Sequence, residues 1–236
     1  MRLLTALAPL TLLALASPAF AAGSMQLTGH GEVMAAPDTA YVNSGVTSQA
    51  GTAKEALAAN TADMAKLVDM LIAAGIDSKD IQTSGFSVNP NIVYPDNNSG
   101  NQPPKIVGYT VTNQVTVHVR DLTQLGTILD QSVEVGANAI SGITFAVDDP
   151  SGLYAEARKA AFADAKDKAD LYADAAGVNL GALQLISEQQ TNSQPPQPYL
   201  YKVAATADRS APVPVEVGQL TFSIDVNVNW ELGAAK

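Results

Sequence analysis

The segment from Leu220 to Trp230 alternates without a break. Leu220, Phe222, Ile224, Val226, Val228 and Trp230 fall on one side, and Thr221, Ser223, Asp225, Asn227 and Asn229 on the other. Successive side chains of a strand point to opposite faces, so this pattern predicts a β-strand with one buried and one wet face. Burying each large apolar side chain is worth roughly 1.5–3 kcal/mol, so the face demands a covering layer. Cysteine is absent, so no disulfide frame or thiolate site can stand in for packing. The fold must rest on an ordinary core.

The rest of the chain supplies that layer. Met25 to Val33 and Thr39 to Ser48 read as strands around a Pro37-Asp38 turn. Thr52-Ala53-Lys54-Glu55 is a capping box. Leu57, Met64, Val68, Leu71 and Ile72 follow at helical spacing, and Gly75 stands where a left-handed C-cap belongs. Ile81 to Tyr94 and Ile106 to Arg120 read as two strands of a hairpin around a Pro- and Asn-rich loop. In the second, Val111, Val115, Val117 and Val119 share one face; Thr112, Gln114, Thr116 and His118 share the other. A second helix starts at Asp121 and ends at Gly136. Ala139 to Val147 is a strand. The third helix starts at Asp149-Pro150, runs through an alanine-rich body with Phe162, Leu171 and Tyr172, and closes at Gly177. Leu180 to Gln189 is a further strand. Helices alternating with strand pairs predict an α+β fold in two layers, the helices packed on one face of a largely antiparallel sheet of long strands.

The first residues carry an address. Arg2, an apolar run from Leu3 to Ala16, and Ala19-Phe20-Ala21 form a secretory signal in the expected order. We expect residues 1–21 to be removed between Ala21 and Ala22. Residues 22–236 then form one domain, as a single body or as two sub-lobes. The run is too short to cross a bilayer, which takes roughly 20 apolar residues, and no later segment reaches that length. The chain has 13 basic and 23 acidic residues, a net charge of -10. Without a Lys/Arg cluster it is not built to bind a phosphate backbone. The expected location is the periplasm or cell envelope.

The search for chemistry returns little. The sequence has no Gly-x-Ser-x-Gly elbow, P-loop or His-Glu-x-x-His helix. His30 lies between Gly29 and Gly31 and reads as a strand residue; glycines there mark a bulge or a close backbone approach more readily than a phosphate loop. His118 reads as a solvated or hydrogen-bonded side chain. Asp148-Asp149 reads as a helix cap before it reads as a calcium site. No catalytic, metal or cofactor residue is assigned. Tyr94, Tyr199 and Tyr201 flank proline-rich loops and form a candidate contact surface, or else cover the edge of the sheet.

Gly29-x-Gly31, Pro37-Asp38, Gly75-Ile76, Asp80-Ile81-x-Thr83, Gly108-Tyr109, Gly136-Ala137-Asn138, Gly142-Ile143-x-Phe145, Ala157-Arg158 and Ala175-Ala176-Gly177-Val178-x-Leu180-Gly181 occur in one order across the chain. In order and spacing the sequence resembles the SIMPL-domain family of bacterial periplasmic and outer-membrane-associated proteins. The resemblance implies a secreted α+β protein with no agreed enzymatic activity, tied to envelope and oxidative stress, and assembled into ring- or channel-like homo-oligomers. The leading expectation is therefore a non-enzymatic envelope protein acting through self-assembly or partner contacts. The runner-up is a periplasmic module for a small ligand.

Overall fold

The computed structural model describes residues 23–94, 103–188 and 213–235. In chain order its elements are β1 (Ser24–Ala35), β2 (Thr39–Ala50), α1 (Ala53–Ala73), β3 (Ile81–Val93), β4 (Lys105–Val119), α2 (Leu125–Glu134), β5 (Ser141–Ala146), α3 (Ser151–Ala176), β6 (Val178–Glu188) and β7 (Leu220–Ala235). Single 3-10 turns precede β3 and α2. The α+β class and the antiparallel pairing hold. The strands, however, divide between two sheets. One has the order β1-β7-β6 and carries α3; the other has the order β3-β4-β2-β5 and carries α1.

Local signals account for the helix ends. The Thr52 hydroxyl accepts the Glu55 N–H at 3.2 Å and lies 2.9 Å from the Glu55 carboxylate. At the far end of α1, Ile76 N–H bonds Leu71 C=O and Gly75 N–H bonds Ile72 C=O, a Schellman motif. α2 repeats it, with Ala137 to Ser132 and Gly136 to Val133. Both motifs require a left-handed residue, and Gly75 and Gly136 sit at φ 91° and 112°.

The inner face of α1 is Ala56, Asn60, Met64, Leu67 and Leu71. Leu57 and Ile72, expected on that stripe, are exposed. They lie one position to the side of the line that meets the sheet. Leu67 and Leu71 join Val42, Val46, Val115, Val117 and Val119 from the sheet and Leu125, Ile128 and Leu129 from α2 in one aliphatic core. The buried amide of Asn60 bridges the two central strands, donating to Val46 C=O at 2.8 Å and Val111 C=O at 3.3 Å.

α3 is built differently. Its inner stripe is Ala157, Ala161, Ala165, Ala169 and Ala173, all buried and four residues apart. Phe162 is partly buried, while Leu171 and Tyr172 are exposed. The stripe meets Gly29 and Gly31 of β1. A Cβ at Gly29 would stand 1.9 Å from Ala161 C=O, and one at Gly31 would stand 2.1 Å from Ala157 C=O. Only a strand without side chains at these positions lets the helix backbone come so close. Val226, Val228 and Trp230 of β7 complete this second core, as the alternation predicts.

Candidate functional site

Three places in the molecule hold residues with more than a packing role. The first lies where β4 ends. Arg120 follows the strand and Asp80 precedes β3. The guanidinium grips the Asp80 carboxylate with two bonds, Nε to Oδ2 and Nη2 to Oδ1, each 3.0 Å. Its Nη1 donates to Asp148 Oδ2 at 2.8 Å. The Asp148 backbone N–H in turn donates to Asp38 Oδ1 at 2.8 Å. Arg120 holds the Asp80 carboxyl below its usual range, and Asp80 is the main cause of the guanidinium's upward shift.

His118 lies inside this cluster. It is only 8% exposed, so of the two readings, solvated or hydrogen-bonded, the solvated one does not hold. Its ring stacks on Tyr41, its cross-strand partner, with centroids 4.4 Å apart and planes 10° from parallel. Nδ1 is 3.5 Å from Asp80 and Nε2 is 3.8 Å from Asp148. Nε2 is buried and makes no hydrogen bond. Beside the cluster is a hollow of about 130 Å³ lined by Gly75, Ile76, Asp77, Asp121 and Gln124 among others. Ligand pockets usually measure ~300–1,000 Å³. Among the described residues no three His, Asp or Glu side chains converge as a metal ion requires. Asp149 accepts the Ser151 N–H at 3.0 Å, so it fixes the start of α3.

The second place is the open face of the three-stranded sheet. His30 Nδ1 meets Asp225 at 2.8 Å across β1 and β7, with Glu32 at 3.8 Å from Nε2. The Asp225 bond raises the imidazole above its ordinary value of 6.5. The ring is half exposed. On the β1 edge, the His30 N–H donates to Asp164 of α3 at 2.8 Å, and Lys168 donates to Thr28 C=O at 3.2 Å. The helix thus uses two side chains to occupy backbone groups along this edge.

The third place is the β3–β4 hairpin. β3 is a sheet edge of 13 residues. It contains no Asp, Glu, Lys or Arg. Phe86 is 57% exposed and Tyr94 is 71% exposed; Val88, Ile92 and Val93 are exposed as well, as are Ile106 and Val107 on β4. Proteins normally blunt long edges with charge or cover; β3 carries no charge, and among the described residues nothing covers it. β6 is likewise an edge with exposed apolar side chains, Leu183, Leu185 and Ile186. Its one charged residue, Glu188, is held by Arg158 at 2.7 and 2.9 Å. The sequence sets Tyr94 at a contact surface or a sheet edge but does not say which strand forms that edge, because strand order is not a local property. Tyr199, Tyr201, Ala21 and Ala22 lie outside the described residues.

The family model SIMPL, described as a protein of unknown function (DUF541), matches residues 25–230. The chain is 41% identical over 213 residues to the 26 kDa periplasmic immunogenic protein of Brucella melitensis, covering 87% of this chain and 83% of that one. It is 27% identical over 205 residues to the uncharacterized protein YggE of Escherichia coli K12, covering 87% and 81%. The Brucella relatives are named as periplasmic, and the location of this chain is the periplasm or cell envelope. Among the described residues no helix is long and apolar enough to cross a membrane. A family model that covers residues 25–230, together with relatives matched over most of their length, makes the chain a member of the SIMPL family.

Proposed function

We propose that this protein is a non-enzymatic component of the cell envelope that works by assembling with further copies of itself into a ring- or channel-like oligomer. The observation that carries the reading is the uncharged, apolar edge of β3, which no described residue covers. Copies with a net charge of -10 repel one another. Contact is least opposed where charge is missing, and β3 and β6 are such places. Two different edges on two different sheets make a head-to-tail contact, which closes into a ring when the rotation permits. Pro90 offers no N–H, so the edge open to pairing is the stretch from Ile81 to Asn89.

In this reading the chain reaches the envelope after cleavage between Ala21 and Ala22, and the assembly protects the envelope under oxidative stress. The alternative, a small-ligand module, has weaker support: the hollow beside Arg120 is small for a ligand, and a larger one of about 400 Å³ between α1 and α2, lined by Met70, Ala73, Ala74, Gln131, Glu134 and Val135, lies wide open to solvent. Light scattering on the mature protein tests the reading. We expect one fixed oligomer mass for the native chain and a folded monomer for Val88→Lys combined with Phe86→Lys. A native chain that stays monomeric at every concentration overturns it.

A further inference from the structure

The two sheets are joined by short crossings. Residues 36–38 lead from β1 to β2, and residues 147–150 lead from β5 to α3. Among the described residues, no strand or helix of one unit packs extensively on one of the other. Val215, from the segment before β7, leans on the aliphatic core under α1. Both crossings pass through the Arg120 cluster. Asp38 belongs to the first and Asp148 to the second, and they bond each other through the Asp148 N–H. Asp38 N–H and the Thr39 hydroxyl also reach Ala146 C=O, at 3.1 and 3.4 Å. Arg120 ties this knot to Asp80 at the base of β3.

We propose that the Arg120 cluster is the latch of a joint between the α3 unit and the four-stranded unit, and that a proton on His118 tightens it. The charges at the joint are unbalanced. The Asp80 and Asp148 carboxylates face a single guanidinium, so one more cation balances them. Of the other groups nearby, Asp121 spends its oxygens on Thr123 and Gln124, and Lys79 pairs with Asp77. Asp38 is held by Asp148 N–H. His118 stands between the two carboxylates with a buried nitrogen that bonds nothing. A neutral imidazole has one donor and one acceptor, whereas the cation has two donors. Once charged, His118 aims an N–H at Asp80 and another at Asp148. The face of Tyr41 favours the same charge, while Arg120 opposes it and is itself neutralised by the two carboxylates.

The absence of cysteine makes the test direct. Ala62→Cys on α1 and Ala163→Cys on α3, both exposed, carry spin labels across the joint in the full mature chain. Lys54→Cys and Glu134→Cys form a control pair within the four-stranded unit. Labelled protein is diluted into unlabelled protein, so assembly does not enter the measurement. We expect the cross-joint distance distribution to be narrower at about pH 5.5 than at about pH 8. His118→Gln should abolish that difference, and Arg120→Gln should broaden the distribution at both pH values, with the control pair unchanged. Equal widths in all these samples overturn the latch, as does broadening of the control pair to the same extent. If Arg120→Gln does not fold, the pH series on the native chain and His118→Gln decides the matter.

Discussion

The two sheet-and-helix units solve one problem in opposite ways. Under α1 the gap between helix and sheet is filled by leucine and valine side chains. Under α3 there is almost no gap: alanines lie on glycines and the two backbones nearly touch. The first interface draws its stability from apolar volume removed from water. The second depends on the exclusion of volume, and dispersion between close backbones takes a larger share. An added methyl group thus meets side chains at the α1 interface and backbone at the α3 interface. The same contrast holds for their histidines. Each unit pairs one His with Asp across strands, buried at His118 and open to solvent at His30.

The sharpest way to break this comparison is to add volume to the α3 interface. Gly29→Val places its Cβ on the Ala161 carbonyl, a backbone atom that cannot swing aside. We expect α3 to lose its seat, at a cost of about 3 kcal/mol or more. Denaturant unfolding followed by Trp230 fluorescence measures it. A native midpoint would mean that the backbones are not in contact. The matching deletion in the other unit is Leu67→Ala, which leaves a cavity beneath α1. Here the fold should persist with a loss of about 2–5 kcal/mol. If both variants behave alike, the two interfaces do not differ in kind.

The histidine contrast is sharpened by titration. Asp80 has its carboxyl held below the ordinary 3.8 by Arg120. Its contribution is therefore present above that value and fades as pH falls through the lower, folded value. Asp80→Asn should unfold more easily than the native chain at neutral pH, and the gap between their urea midpoints should close toward pH 2. A gap that stays constant would show that the pair adds nothing electrostatic. The smallest effect is expected at His30. Its folded value is raised above 6.5 by Asp225, so its contribution is complete below 6.5 and disappears as pH climbs through the raised value. For a half-exposed pair this amounts to about 1 kcal/mol or less. His30→Gln should match the native midpoint at high pH and fall slightly below it in acid; a deficit that grows with pH would reverse the assignment.

Patterns confined to a few neighbouring residues were legible from the sequence alone. The alternation from Leu220 to Trp230, the Thr52 cap and the turns at Gly75 and Gly136 all follow from bond geometry within a few residues. So does the α+β class. Strand order, the division into two sheets and the membership of a cluster depend on which distant segments meet, and no local rule supplies that. His118 sits on the polar side of an alternating strand, yet it is buried because Tyr41, Asp80 and Asp148 converge on it from three other segments. Leu57 and Ile72 fit a helical stripe, but the sheet meets α1 along Asn60 and Leu67 instead. The exposed edge of β3 is likewise invisible until β4 pairs with β2 on its other side. Side-chain periodicity is set by the backbone of one element, whereas burial and charge pairing are set by where other elements come to rest, and only the tertiary structure decides that.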